Sequence, residues 1–187
     1  SAPFAMGGEG WRLITSQFMH FGVAHLVFNM ILLGWYGPLL ERMLGPLRFV
    51  FLYILSGVTG AAASVYWNPA VNGAGASGAI FGLFGALLAI SLRPQLGIPS
   101  TVGSTHRALA IGLIAANGAL GLAHPIVDNA AHFGGLAGGF VLGFVLPRRL
   151  GSVDPMIERG SNTVGAIALA CALVVLVTLP VLQPVPK

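Results

Sequence analysis

The chain has 187 residues and a formal net charge of +4; 56% of the residues are hydrophobic and only 7% are charged. Soluble domains carry about 25% charged residues, so this composition excludes an ordinary soluble fold and indicates several membrane-spanning stretches. The nine cationic residues are spread along the chain, and no basic cluster points to a nucleic-acid partner. The single cysteine, Cys171, lies in an apolar run and excludes a disulfide framework or a cysteine-rich metal site.

We predict an all-α fold, a polytopic membrane bundle with six transmembrane helices. Turn-forming residues mark the breaks between the apolar stretches, as at Gly45-Pro46, Asn68-Pro69, Arg93-Pro94 and Pro147. The third and fourth spans are short, and the third is rich in glycine, so we expect other helices to enclose the third. The predicted spans are residues 24–43, 48–66, 77–92, 107–123, 130–147 and 162–182.

The distribution of arginine predicts the orientation of these spans. Most cationic residues fall in alternate connections, whereas the opposite connections, 67–76 and 124–129, carry neither Lys nor Arg. Only Arg12 and Lys187, in the terminal segments, fall on the second side. By the positive-inside rule the arginine-rich side is cytoplasmic, so the N-terminal segment faces outward. The residues on the cytoplasmic side are Arg42, Arg48, Arg93, Arg107, Arg148, Arg149 and Arg159.

A serine and a histidine stand at the same outward end of two spans. Ser77 begins the third span within Gly75-Ala76-Ser77-Gly78, and His132 lies near the start of the fifth span. A hydroxyl and an imidazole are costly in hydrocarbon unless they find partners or water. Bonded to each other, they form the minimal nucleophile–base pair. Ser77 alone would be interpreted as a helix N-cap, but the matching His132 favours a serine hydrolase inside a membrane.

Glycines flank both residues at spacings that favour close helix packing. Gly75 and Gly78 allow tight backbone geometry around Ser77. Gly135 and Gly139 form a GxxxG pattern after His132, and Gly78 begins another, which lets helix backbones approach closely. Such an approach is needed because the serine Oγ and an imidazole nitrogen must come within about 3 Å.

His25 and Asn29 are four residues apart and therefore share one face of the first span. Both can donate hydrogen bonds to an oxyanion, as can the backbone N–H of Ser77 at the start of its helix. The spacing is equally consistent with a buried polar pair that ties helices together. His20, which precedes the helix, is a candidate loop-packing residue.

Two further alternatives concern Asp128 and a metal. Asp128 lies four residues before His132 and could complete a triad, but its position just before a helix favours a capping role. His20, His25 and His132 could together bind zinc. There is no HExxH motif, and the only acidic residue in the spans is Glu41. We therefore expect no metal and no cofactor.

Together these residues resemble the rhomboid family of intramembrane serine proteases over roughly residues 11–147. The resemblance is carried by Trp11-Arg12, His20-x4-His25-x3-Asn29, Glu41 followed by Gly45, Gly75-Ala76-Ser77-Gly78, and Ala131-His132-x2-Gly135-x3-Gly139.

The resemblance implies a Ser77–His132 dyad without an acidic third member, and an oxyanion site made by the Ser77 N–H, His25 and Asn29. Family members cleave transmembrane segments of other membrane proteins without metal or ATP. The expected partners are therefore membrane-protein substrates and the lipid bilayer, in a bacterial plasma membrane with the active site facing outward. In many bacterial members a tyrosine four residues after the serine stacks on the histidine. Phe81 stands there and should keep the packing role.

The resemblance also implies a division of the chain. Residues 1–22 would be an outer loop segment, 23–147 the catalytic bundle, 148–161 a cytoplasmic linker, and 162–187 an extra C-terminal transmembrane helix with a short tail. The family's first transmembrane helix has no counterpart here, and residues 1–22 show no signal peptide. We therefore expect the native gene to encode a further apolar span upstream of Ser1.

Two other function classes compete with a protease. A rhomboid-like pseudoprotease would bind membrane clients without cleaving them, but members of that type lack the serine or the histidine. A small channel or transporter is disfavoured, because the spans hold no charged residues at depth and the sequence shows no evident inverted repeat.

Overall fold

A computed structural model of the chain describes residues 10–67, 69, 72–93, 100–123 and 127–146. Throughout these residues the regular structure is helical and contains no strand, which confirms the all-α fold class. The predicted linker 148–161 and the sixth predicted span, 162–182, lie outside the described residues. The helices are α1 (Arg12–Thr15), α2 (Val23–Leu44), α3 (Pro46–Trp67), α4 (Ser77–Ser91), α5 (Ser100–Ala123) and α6 (Asn129–Val145), with a 3₁₀ turn at Ser16–Phe18.

Helices α2 and α3 are long and apolar enough to cross a membrane, with mean hydropathies of 1.5 and 1.7 over their most apolar windows. Helices α4 and α6 are shorter apolar helices. Four of the predicted spans agree with the observed helices to within two residues, but the fourth does not. That span was predicted to begin at Arg107, whereas α5 begins at Ser100. The apolar run starts after Arg107, but the helix includes the polar turns before it.

A single residue, Gly45, separates α2 from α3. Its φ of 84° lies in the left-handed region that favours glycine, and its N–H donates to the carbonyl of Glu41 at 2.7 Å. Pro46 then begins α3, where its fixed φ suits a helix and its missing N–H is not needed. The Gly-Pro pair therefore ends one long helix and starts the next without a loop.

Helix α4 is the central helix of the bundle. Twelve of its 15 residues are buried, which confirms the expectation that this glycine-rich span is enclosed. Tyr36 from α2 packs edge-on against Phe84 of α4 at 4.9 Å, within a core that also includes Leu40 and Leu52. The packing of α4 in the core therefore fixes the place of Ser77, its first residue, within the bundle.

Helix α6 crosses α4 with the two backbones in direct contact. A Cβ built on Gly139 would overlap the backbone of Gly82, and one built on Gly143 would lie 2.8 Å from Cα of Ala86. At the end of α4 away from Ser77, the Arg93 guanidinium donates to the Phe144 carbonyl at 2.9 Å. No side chain longer than hydrogen fits between α4 and α6 at these crossing points.

Candidate active site

The loop before α4 is shaped by Gly75. Its φ of 131° lies in a region where any residue with a side chain would be strained. A Cβ built on Gly75 would stand 2.7 Å from Cε1 of His25. The Gly75 N–H donates to the carbonyl of Ser16 at 3.0 Å, which ties this loop to the N-terminal segment. A glycine is therefore required here both by backbone conformation and by the imidazole packed against it.

Ser77 is the first residue of α4, where backbone N–H groups have no partner within the helix. Its half-buried side chain lines a cavity of about 460 Å³. His132, His25 and Asn29 line the same cavity. The structure thus brings the candidate nucleophile, base and oxyanion donors around one space, although they come from three helices.

His132 is the fourth residue of α6 and is 6% exposed. Its ring stacks on Phe81 with centroids 4.2 Å apart and planes 5° from parallel. Phe81 lies one turn after Ser77 on α4, so the imidazole rests on the helix face that carries the serine. No hydrogen bond joins the Ser77 hydroxyl to this ring in the described part of the chain. Catalytic hydrogen bonds often tighten only when substrate binds.

Asn29 and His25 adjoin one another on α2, on the side facing the cavity. The Asn29 side chain is 1% exposed, and its Nδ2 donates to the backbone carbonyl of His25 at 2.8 Å. A primary amide carries two N–H bonds, so one remains for another acceptor. The His25 ring stacks on Phe21 at 6.0 Å and meets His20 edge-on at 5.2 Å.

Glycines allow α3, α4 and α6 to pack closely next to Ser77 and His132. A Cβ on Gly135 would overlap the carbonyl of Gly78, and one on Gly60 of α3 would lie 2.6 Å from the carbonyl of Ala131. Three helix backbones therefore converge within one residue of the serine and the histidine.

Asp128 caps α6, as its position before the helix predicts. Its Oδ1 accepts a hydrogen bond from the Ala131 N–H at 3.0 Å. Its Oδ2 accepts another from the hydroxyl of Ser64 on α3. No pattern in the sequence predicts the role of Ser64, because a pair of residues this far apart leaves no periodic signal. Nor does a pattern predict that of Gln17, whose buried amide donates to the carbonyls of Leu13 and Ile54.

Comparison with known proteins identifies the family. The chain matches the Rhomboid domain over residues 7–149. This chain belongs to the rhomboid family. It is therefore an integral membrane protein of a family that includes serine proteases.

Named relatives of this rhomboid come from bacteria and plants. It is 44% identical over 133 residues to the rhomboid protease GluP of Bacillus subtilis (strain 168), covering 71% of this chain and 25% of GluP. It is 41% identical over 143 residues to RHOMBOID-like protein 4 of Arabidopsis thaliana, covering 75% and 35%. It is 42% identical over 140 residues to the mitochondrial RHOMBOID-like protein 6 of the same plant, covering 75% and 45%. The rhomboid chain thus spans less than half the length of each of these relatives.

The Trp-Arg pair of this rhomboid lies at the start of the described N-terminal segment. The Arg12 guanidinium lies 4.7 Å from the centroid of the Trp11 ring. Arg12 lines the cavity, whereas Trp11 is 56% exposed and is not among the lining residues. The structure therefore brings Arg12, but not Trp11, to the candidate site.

Two of the candidate metal-ligating histidines, His25 and His132, line the cavity of the rhomboid. Within residues 10–146, as far as they are described, no group of three or more His, Cys, Asp or Glu side chains is arranged to hold an ion. His20 and His25 are neighbours, and His132 stacks on Phe81 instead of joining them.

Proposed function

We propose that this rhomboid is an intramembrane serine endopeptidase that cleaves transmembrane segments of other membrane proteins. Ser77 is the proposed nucleophile and His132 the proposed general base. One observation carries the proposal: the His132 ring stacks on Phe81, one turn from Ser77, and both residues line one cavity. A serine and an imidazole on one face of a shared cavity are the two groups that acyl transfer needs.

The proposed reaction proceeds by acyl transfer. His132 accepts the hydroxyl proton as Ser77 Oγ bonds to a backbone carbonyl carbon of the substrate, which gives a tetrahedral oxyanion. The C–N bond then breaks, and His132 passes the proton to the leaving amine. Water, deprotonated by His132, attacks the resulting ester and releases the carboxyl product together with free Ser77. Ser77 and His132 supply both proton transfers, so the proposed mechanism requires no metal or cofactor.

We assign three donors to the proposed oxyanion site. They are the Ser77 backbone N–H, the second N–H of the Asn29 amide and the His25 imidazole. Their common cavity supports this assignment. Donors held in place before the reaction stabilise developing charge without a reorganisation cost. Gly75 and Gly78 would let the substrate backbone approach, and Gly135 and Gly139 would hold the helix of His132 against that of Ser77.

We further propose that residues 23–147 form the catalytic bundle and that its cavity opens outward from a bacterial plasma membrane. The absence of Lys and Arg from the 67–76 and 124–129 connections supports this orientation. The substrates would enter from the surrounding bilayer.

Covalent labelling tests the proposal. The purified protein, reconstituted into liposomes, is treated with a fluorophosphonate probe and assayed with a model transmembrane substrate. Ser77→Ala should abolish labelling and lower cleavage about a thousandfold or more. Ser16→Ala is the matched control, since Ser16 lines the same cavity and its hydroxyl donates to the carbonyl of Leu13.

Two outcomes of this experiment would contradict the proposal. Cleavage by Ser77→Ala at the wild-type rate would overturn the assignment of the nucleophile. A wild-type protein that neither labels nor cleaves, but retains bound membrane proteins, would favour a rhomboid-like pseudoprotease.

A further inference from the structure

Ser64 and Asp128 form a partly buried contact between α3 and the start of α6. The Ser64 side chain is 4% exposed, and its hydroxyl donates to Oδ2 of Asp128. The other carboxylate oxygen accepts from the Ala131 N–H at 3.0 Å. One carboxylate therefore joins a side chain of α3 to the first turn of the helix that carries His132.

The loop that leads to Ser77 packs on the same pair. A Cβ built on Gly73 would lie 3.3 Å from Oγ of Ser64 and 3.4 Å from Oδ2 of Asp128. Gly73 is four residues before Ser77, and Asp128 is four residues before His132. The segments that deliver the two reacting side chains thus meet at one hydrogen-bonded pair.

Two sets of contacts hold the backbone of α6 next to His132. One lies at the N-terminal end of the helix, at Asp128, and the other lies on the side that faces α3 and α4. The His132 N–H donates to the Asp128 carbonyl at 3.1 Å. On the opposite side, the Ala131 carbonyl lies against Gly60 and Gly78. Asp128 therefore helps to hold the N-terminal end of α6, and the imidazole of His132 would move if that end shifted.

We propose that Ser64 and Asp128 are positioning residues that set the distance between the Ser77 hydroxyl and the His132 ring. This inference rests on the proposed function. Within the described residues, neither side chain forms a hydrogen bond to the side chain of Ser77 or His132. Asp128 acts through hydrogen bonds from Ser64 and Ala131, so its role is geometric and differs from that of a third catalytic residue.

Replacement of Asp128 by Asn separates geometry from charge. An asparagine carbonyl can accept from the Ala131 N–H, and its amide can donate to the Ser64 hydroxyl, which can accept. Asp128→Asn therefore keeps the contact between α3 and α6 and removes the negative charge. Asp128→Ala removes both, and Ser64→Ala removes the contact with α3 and keeps the helix cap.

The test measures kcat and KM for a model transmembrane substrate in liposomes. Each preparation is normalised to the fraction that reacts with a fluorophosphonate, so that unfolded protein is not counted.

We expect Ser64→Ala and Asp128→Ala to lower kcat per labelled site by about 10- to 100-fold with little change in KM, since small displacements of reacting groups cost this much. Asp128→Asn should retain kcat within about threefold and an unchanged pH–rate profile. Ser56→Ala is the matched control, because Ser56 is a second buried serine on α3, eight residues before Ser64, and its Oγ has no hydrogen-bond partner within the described residues.

The outcomes separate this inference from the proposed function. If Ser77→Ala abolishes cleavage but Ser64→Ala keeps wild-type kcat per labelled site with only a lower melting temperature, the pair is merely structural and the inference is wrong. If Asp128→Asn loses activity as fully as Asp128→Ala, the charge of Asp128 matters and the geometric role is overturned. If Ser77→Ala still cleaves, the proposed function fails and the positioning role fails with it.

Discussion

The Phe81 and His132 rings lie parallel, with their centroids 4.2 Å apart. Phe81 is 2% exposed and packs edge-on against Phe84 at 5.6 Å, so the surface on which the imidazole rests is itself fixed. Stacked aromatic pairs contribute about 0.5–1.5 kcal/mol beyond the burial of their area. The helix of Ser77 thus determines how the His132 ring is oriented.

Loss of this ring should lower turnover. Phe81→Leu keeps an apolar side chain but removes the flat surface, so His132 would sample other rotamers. We expect kcat for a model transmembrane substrate to fall about tenfold, which corresponds to about 1.4 kcal/mol. Phe81→Tyr, which keeps the ring, is the control and should retain most of the activity. An unchanged kcat in Phe81→Leu would show that stacking does not orient the base.

Removal of the Asn29 amide should affect turnover more than substrate binding. Loss of one oxyanion donor costs about 2.7–4 kcal/mol at the upper end, so Asn29→Ala should lower kcat by about 10- to 1000-fold with a smaller change in KM. Steady-state kinetics in liposomes would measure both constants.

Asn117 offers a matched control for Asn29. It lines the same cavity from α5, and its Nδ2 donates to the carbonyl of Leu113, four residues earlier, at 2.9 Å. Asn117→Ala therefore removes an equivalent local hydrogen bond and should change kcat by less than about threefold. Equal losses in the two variants would reduce Asn29 to a structural residue.

A methyl group at Gly139 should destabilise the bundle. The added Cβ would overlap the backbone of Gly82, which cannot move aside as a flexible side chain can. Overpacking of this kind costs about 1–3 kcal/mol, and Gly139→Leu should cost more than Gly139→Ala. Thermal unfolding in detergent would measure the loss. Gly112→Ala is the control, because nothing lies within 4 Å of its Cβ position; a wild-type melting temperature in Gly139→Ala would contradict the close packing.

His20 should make stability depend on pH. Burial, together with the neighbouring His25, holds the pKa of His20 below its ordinary value of 6.5. Between that lowered pKa and 6.5 the unfolded chain binds more protons than the folded chain, so the free energy of unfolding rises with pH in this window. The contribution of His20 to the free energy of unfolding is complete above pH 6.5 and is lost as the pH falls through the pKa of His20 in the folded state.

The comparison of wild type with His20→Asn isolates this contribution, because every other titratable group is shared. We expect the melting temperature of the wild type to fall more steeply than that of His20→Asn as the pH is lowered from 7 to 5. Parallel curves for the two proteins would show that His20 is not a source of the dependence.

Hydrophobic runs, and the pairs of turn-forming residues between them, predicted most of the helices in the bundle, since crossing a membrane requires long apolar segments. They did not predict that α5 begins at Ser100, because a helix can extend beyond its apolar run. Nor did they predict α1 or the 3₁₀ turn at Ser16–Phe18. Single turns are too short to show a period, and contacts such as Gln17 with Ile54 hold them in place.

Local motifs drew attention to Ser77 and His132, which both line the cavity, because each stands beside glycines at recognisable spacings. Patterns of this kind report contacts within one helix or between helices that pack closely. The Ser64–Asp128 hydrogen bond has no such pattern, since it depends on how α3 and α6 are placed in three dimensions. The sequence therefore predicted the cap at Asp128 but not its second partner.

The unequal lengths of the helices bear on how the bilayer acts on this protein. With 22 residues each, α2 and α3 are about 33 Å long, enough for a hydrocarbon core of about 30 Å, whereas the 15 residues of α4 reach only about 22 Å. Because neighbouring helices cover α4, lipid tails do not meet its short length. Hydrophobic mismatch therefore acts on the longer helices α2 and α3 and not directly on α4, the helix that begins at Ser77.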